Sequence, residues 1–244
     1  MEHFAKAPIH EALLDVQVVL PPDSEKLDFK LFGQGLEDRF PECQERVQFV
    51  QSFQLAADQK QIPPVKNVEG YLFTSNPQAK IVQARREGFT FNKLRPYTKW
   101  DDFSSEAKEL WQRYVDFARP VAVKRLGLRY INRIEVPPDV DDPRDLCLLF
   151  PEFPPGVPQA WAEFFQRFAS ARDDGALSIV TLAIDNPEPP GKVAIILDID
   201  VAWLFQTETP PDTQAIWPQV EKLRAFKNEI FNTSLTPKAK DLFR

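Results

Sequence analysis

Apolar and polar positions alternate through EALLDVQVVLP (11–21), which predicts a first strand stopped by Pro21 and Pro22. Asp23 or Ser24 can then cap a helix reaching about Phe40, with Phe29, Phe32, Leu36 and Phe40 at helical spacing and Pro41 as its stop. RVQFVQSFQLA (46–56) alternates as a second strand, and a proline-containing loop runs on to Lys66. Between GYLFTSN and FTFNKL, turns at Asn76-Pro77 and Glu87-Gly88 punctuate two or three hairpin-linked strands. WDDFSSEAKELWQRYVDFARP carries the clearest helical stripe: Phe103, Ala107, Leu110, Trp111, Tyr114, Val115 and Ala118 share one side. Asp101 and Asp102 suit its positive N-terminus, and Pro120 ends it.

RLGLRYINRIEVP (125–137) reads as a long strand, followed by the breaker PPDVDDP (137–143). DLCLLF predicts a short apolar strand, and PEFPPGVP (151–158) a proline-rich link. Trp161, Phe164, Phe165 and Phe168 mark a further helix, stopped by Asp173-Asp174-Gly175. LSIVTLAID and KVAIILDIDVAWLF are two strands around NPEPPG. Ile216, Trp217, Val220, Leu223, Phe226 and Ile230 then define a last long helix, and Thr236-Pro237 starts a short terminal turn. The order is β-α-β-β-β-α-β, then β-α-β-β-α. Short connections favour antiparallel neighbours, so the expected class is α+β: an antiparallel sheet, mixed at most, with about four helices packed mainly on one face. A single compact domain over 1–244 is expected, with two loosely similar β-α-β-β halves (1–137 and 144–244) but no repeat in the letters.

Composition narrows the function. With 43% hydrophobic and 27% charged residues the chain is globular and not disordered. Twenty phenylalanines against four tyrosines favour core-building over wet recognition surfaces. A net charge of −6 disfavours a general nucleic-acid binder, which needs a cationic field. There is no signal-peptide pattern and no apolar run of about 20 residues, so a cytoplasmic location off the membrane is expected. Cys43 and Cys147 lack C-x-x-C spacing and are expected reduced and buried. The only histidines are His3 and His10, which makes histidine catalysis and His-rich zinc sites improbable. With eight glycines and neither a Walker A loop, G-x-G-x-x-G nor G-x-S-x-G, phosphate-cradling and nucleophile-elbow motifs are missing.

The chemistry concentrates in the strand 125–137. Leu126, Leu128, Tyr130, Ile134 and Val136 share one face; Arg125, Arg129, Arg133 and Glu135 share the other, with Gly127 and Ile131 between them. Arg129 and Arg133 should emerge about 13 Å apart, too far for both to grip one carboxylate directly. In KVAIILDIDVAW, Asp198 and Asp200 share a face about 6.6 Å apart, so Arg–Asp pairs can close across the sheet. The leading expectation is such an ion-pair network. The sharper alternative is an anion pocket of Arg129 and Arg133 with help from Arg95 or Lys93. A third reading places a divalent cation such as Mg²⁺ on Asp198 and Asp200. Asn132 lies on the apolar face, as a backbone-satisfied amide or a ligand contact. Tyr97 and Trp100, with Arg95 and Lys99, occupy a loop that can recognise a ligand or staple the start of the helix.

PIHEALLDVQ, GYLFTSNPQAKIVQARREGFTFNKLRPYTKWDDF, LGLRYINRIEVP, ILDIDV and LRAFKNEIFNTSLT together resemble a sporadically distributed prokaryotic family of uncharacterised proteins. The resemblance covers almost the whole chain in order. It implies mobile or defence-linked gene neighbourhoods and brings no catalytic residues with it. The functional expectation is a non-enzymatic binding or regulatory module without a cofactor, a protein-partner or defence-associated module that engages another protein and not a membrane. Its rivals are a metal-dependent enzyme acting on a phosphorylated or nucleotide substrate, and a small-molecule sensor with a cavity between sheet and helices.

Overall fold

The computed structural model describes residues 4–50, 65–158, 163–185 and 193–244. Among them, nine strands form one sheet: β1 (Ile9–Val19), β2 (Glu42–Val50), β3 (Val65–Thr74), β4 (Lys80–Arg85), β5 (Gly88–Leu94), β6 (Ala122–Glu135), β7 (Phe165–Ala171), β8 (Leu177–Asp185) and β9 (Ala194–Thr209). Their order is β2-β3-β4-β5-β1-β6-β9-β8-β7, and every neighbouring pair is antiparallel. The helices are α1 (Trp100–Ala118), α2 (Thr213–Ser234) and the single turn α3 (Pro237–Asp241). None of the described helices is long and apolar enough to cross a membrane.

One topology is used twice. β1 leads into a meander that returns to pair with it through β5, and α1 follows; β6 leads into β7–β9, pairs with β9, and α2 follows. The two leading strands meet at the centre of the sheet. Register puts Leu14 opposite Phe91 and Leu128, and Tyr130 opposite Ala12 and Ile199, all on one buried face. Both long helices cover that face. Phe103 of α1 stacks on Phe91 with ring centres 5.4 Å apart, and Trp111 meets Phe89 at 5.9 Å. From α2, Ile216, Val220 and Leu223 are fully buried.

The expectation of about four helices is overturned: two long helices and one short turn are present among the described residues. The stretch after Pro22 forms two 3-10 turns, Pro22–Lys26 and Phe29–Gly33. Leu27 and Asp28 between them are extended, and Gly35 has φ 77°, so no continuous helix can run through. Phe29, Phe32, Leu36 and Phe40 are nevertheless all buried, because turns can present the same apolar set. The helix expected around Phe164, Phe165 and Phe168 is the edge strand β7, joined to β8 by a hairpin at Asp173-Asp174-Gly175. Trp161 lies outside the described residues, as do 51–56 of the expected second strand. Aromatic residues suit a pleated surface, and the open edge of β8 offered a ladder that local spacing could not show. DLCLLF is not a strand either: a 3-10 turn at Pro143–Asp145 leads to Cys147, which makes one bridge to Leu235. Cys147 is buried, but Cys43 is exposed on β2, contrary to expectation.

Candidate functional site

On the sheet face away from the helices, the arginines of β6 meet acids from both flanking strands. Arg129 forks onto Asp198, with Nε to Oδ1 at 2.8 Å and Nη2 to Oδ2 at 2.6 Å. Arg125 bridges two strands, donating to Asp15 of β1 at 3.0 Å and to Asp200 of β9 at 2.9 Å. Arg85 reaches the other oxygen of Asp15 at 2.5 Å, and Thr90 donates to the same oxygen. Arg133 turns to Asp185 at 3.1 Å and Glu135 at 3.7 Å. The contact with Asp198 holds the Arg129 guanidinium above its ordinary value. Burial pushes the Asp200 carboxyl up, while Arg125 opposes that shift. Both acids considered for a cation thus face guanidinium groups, and the described residues hold no cluster of three or more His, Cys, Asp or Glu side chains suited to a metal. Arg95 is exposed and shares a shallow hollow of about 450 Å³ with Lys6 and Arg133.

The other sequence candidates, Tyr97 and Asn132, meet on the helix side. They line a cavity of about 350 Å³ bordered by Phe4 and residues 7–9, the loop before α1, the floor of β6 and one side of α2. Tyr97 and Tyr130 share a hydrogen bond between their hydroxyls at 3.0 Å. Asn132 donates to the Leu197 carbonyl at 2.9 Å. Phe4, Ile9 and Phe231 supply apolar walls. At the rim, Arg224 stacks on Trp100 with 4.7 Å between guanidinium carbon and ring centre. Glu221 fixes both: Trp100 Nε1 donates to it at 2.8 Å and Arg224 at 3.2 Å.

Lys227 is the residue sequence reading passed over. It lines the same cavity, is 8% exposed, and places Nζ 3.7 Å from the centre of the Tyr130 ring. Among the described residues no carboxylate lies within ion-pair distance of it. Burial pushes its ammonium down to about 7, and Arg224 acts in the same direction. Burial likewise raises the Tyr97 and Tyr130 hydroxyls. The signal for Lys227 was its phase: it follows Ile216, Val220 and Leu223 and precedes Phe231 on the buried stripe of α2. A lysine at a core position is rarely tolerated without a partner, so its spacing alone marked it.

α1 adds a second positive element. Its N-cap, Lys99, makes no side-chain capping bond, and Lys99, Trp100 and Asp101 all line the cavity. The unsatisfied N–H groups of a helix start favour negative charge nearby. Asp101 stands on the same rim and limits how much anionic charge can be accommodated. The cavity therefore joins apolar walls, hydrogen-bonding tyrosine and asparagine groups, the cations Arg224 and Lys227 of α2, and Lys99 just before α1, which also reaches Asp102 at 3.5 Å. No family model, curated protein or solved structure matches the chain, so its functional reading rests on this chemistry.

Proposed function

We propose that this protein is a binding module for a small organic anion, seated in the cavity between α2, β6 and the start of α1. Lys227 carries the reading: it is a buried cation without a counter-charge among the described residues, at a position where an apolar residue would cost less. An anionic group on a ligand supplies the missing partner. Arg224 and the uncapped end of α1 reinforce it, while Phe4, Ile9 and Phe231 accept an apolar body. The volume falls in the range typical of small-molecule sites, about 300–1,000 Å³. This supports the small-molecule sensor among the sequence-based alternatives.

Thermal-shift measurements with mono- and dicarboxylates and phosphate esters test it. A ligand at about 100 times its Kd adds about 2.7 kcal/mol, which raises Tm by about 5–10 °C in a chain of this size. The gain should shrink as pH rises past about 7 and disappear in Lys227→Met. A flat response across the panel, or an equal response in Lys227→Met, removes the reading.

A further inference from the structure

We infer that the ε-amine of Lys227 forms a reversible imine with the carbonyl group of a small oxo acid held in this cavity. This rests on the anion site proposed above and names the class of ligand that would use all of it. The geometry has three parts. First, the amine is largely buried yet borders the open volume of the cavity, and the described residues give it no hydrogen-bond acceptor or carboxylate. An amine locked in an ion pair cannot add to a carbonyl; this one is held only against the face of Tyr130. Second, Arg224 lies one helical turn before Lys227 and lines the same cavity, so a ligand carboxylate at the rim directs its adjacent carbonyl inward. Third, the Tyr97 hydroxyl also lines the cavity and can donate to the carbonyl oxygen while accepting from Tyr130.

Titratable and charged groups line the cavity with Lys227 from each element around it. They are Arg224 on α2, the hydroxyls of Tyr130 on β6 and Tyr97 in the loop, and Lys99 and Asp101 at the start of α1. Glu221 is occupied by Trp100 and Arg224. With burial bringing the ammonium to about 7, a substantial fraction of the amine is neutral near neutral pH, whereas an exposed lysine is almost wholly protonated. The step balances without a redox partner. The nitrogen lone pair forms a C–N bond to the carbonyl carbon while the C=O π pair moves to oxygen. Proton transfer from nitrogen to oxygen gives a carbinolamine. Loss of that hydroxyl as water, with the second amine proton, leaves the C=N bond.

Pyruvate and sodium cyanoborohydride, incubated with the full chain near neutral pH, give the decisive test when tryptic peptides are mapped by mass spectrometry. The expected result is an N-carboxyethyl adduct on Lys227 formed at least about tenfold faster than on any other lysine, with its rate rising through about pH 7. Lys227→Met should lose that adduct and keep only slow surface labelling. Labelling spread evenly over the lysines, or absent, overturns the imine. Lactate, which has the carboxylate but no carbonyl, separates the two proposals. If lactate or other anions stabilise the protein through Lys227 and pyruvate leaves no adduct, the anion site stands and the imine falls; if neither happens, both fall.

Discussion

Lys227 Nζ lies 3.7 Å from the centre of the Tyr130 ring, and among the described residues that ring face stands in for a counter-charge. A desolvated cation–π contact contributes up to about 2 kcal/mol toward the charged form. Burial and Arg224 outweigh it and bring the group to about 7, below the ordinary 10.5. Between these two values the unfolded chain binds more protons than the folded one, so the contribution of this group to stability increases with pH across that window. It is least favourable below about 7, where the folded state must bury the charge. Lys227→Met removes the penalty. Urea titrations should show the variant more stable than the parent, with the largest gap below about pH 7 and convergence toward about 10.5. A gap independent of pH would contradict the burial of a titrating amine.

Asp15 makes a different demand, because it serves two arginines at once. Arg85 and Arg125 both bond to it, and their side chains are only 9% and 19% exposed. Asp15→Ala strands the buried Arg85 guanidinium near the middle of the sheet and leaves Arg125 to Asp200, so it should cost about 3–5 kcal/mol. Asp198→Ala frees only Arg129, whose side chain is 42% exposed and can turn to water, so about 1 kcal/mol is expected. Chemical denaturation of the two variants measures the difference directly. Equal losses would mean that burial does not grade the network.

Those arginines stood out in the sequence, whereas Lys227 was marked only by its phase on the buried stripe of α2. Strand alternation alone puts Arg125 and Arg129 together on one side of their strand and Asp198 and Asp200 together on one side of theirs, so cross-strand pairing needs only that β6 and β9 are neighbours with those sides aligned. The register then sets Arg129 opposite Asp200, and the side chain slants one pair along to Asp198. The stripes of α1 and α2 were equally plain, since Phe103, Ala107, Leu110 and Tyr114 in one and Ile216, Val220 and Leu223 in the other recur at helical spacing. Short apolar sets were ambiguous. Phe29, Phe32, Leu36 and Phe40 fit a helix, but Gly35 at φ 77° and the extended Asp28 break it. Phe164, Phe165 and Phe168 fit one too, until the edge of β8 supplies a strand partner. Tyr97 and Asn132 could be nominated individually, but their meeting depends on packing of α2 against β6, which no local pattern encodes.

Gly88 tests how tightly the centre of the sheet is drawn together. It follows the β4–β5 turn with φ 154°, and a Cβ there would lie 2.0 Å from the Val16 carbonyl oxygen. That atom belongs to the backbone of β1, which is paired on both sides and cannot step aside. Gly88→Ala should cost more than about 1 kcal/mol and loosen the β1–β5 ladder. Amide exchange would show the loss of protection at Val16–Val18 and Gly88–Thr90 before the rest of the sheet. Unchanged protection there would show that the strands have slack.

The two thiols report on separate parts of the molecule. Cys43 is exposed on β2, although partial burial raises its thiol somewhat and will slow its reaction. Burial pushes the Cys147 thiol to about 11, so almost no thiolate is present at neutral pH, and its side chain is shut in against the end of α2. Backbone bonds pin that segment: Leu148 donates to Ser234 at 2.8 Å and Thr236 to Leu146 at 3.1 Å. A disulfide reagent should therefore modify one thiol readily in the native protein and both in denaturant. Modification of Cys147 requires the end of α2 to detach, so its slow rate measures that local opening. The same helix carries Arg224 and Lys227. A ligand that seats on both should slow Cys147 labelling while leaving the Cys43 rate unchanged; parallel changes at both cysteines would mean the ligand acts on global stability and not on α2.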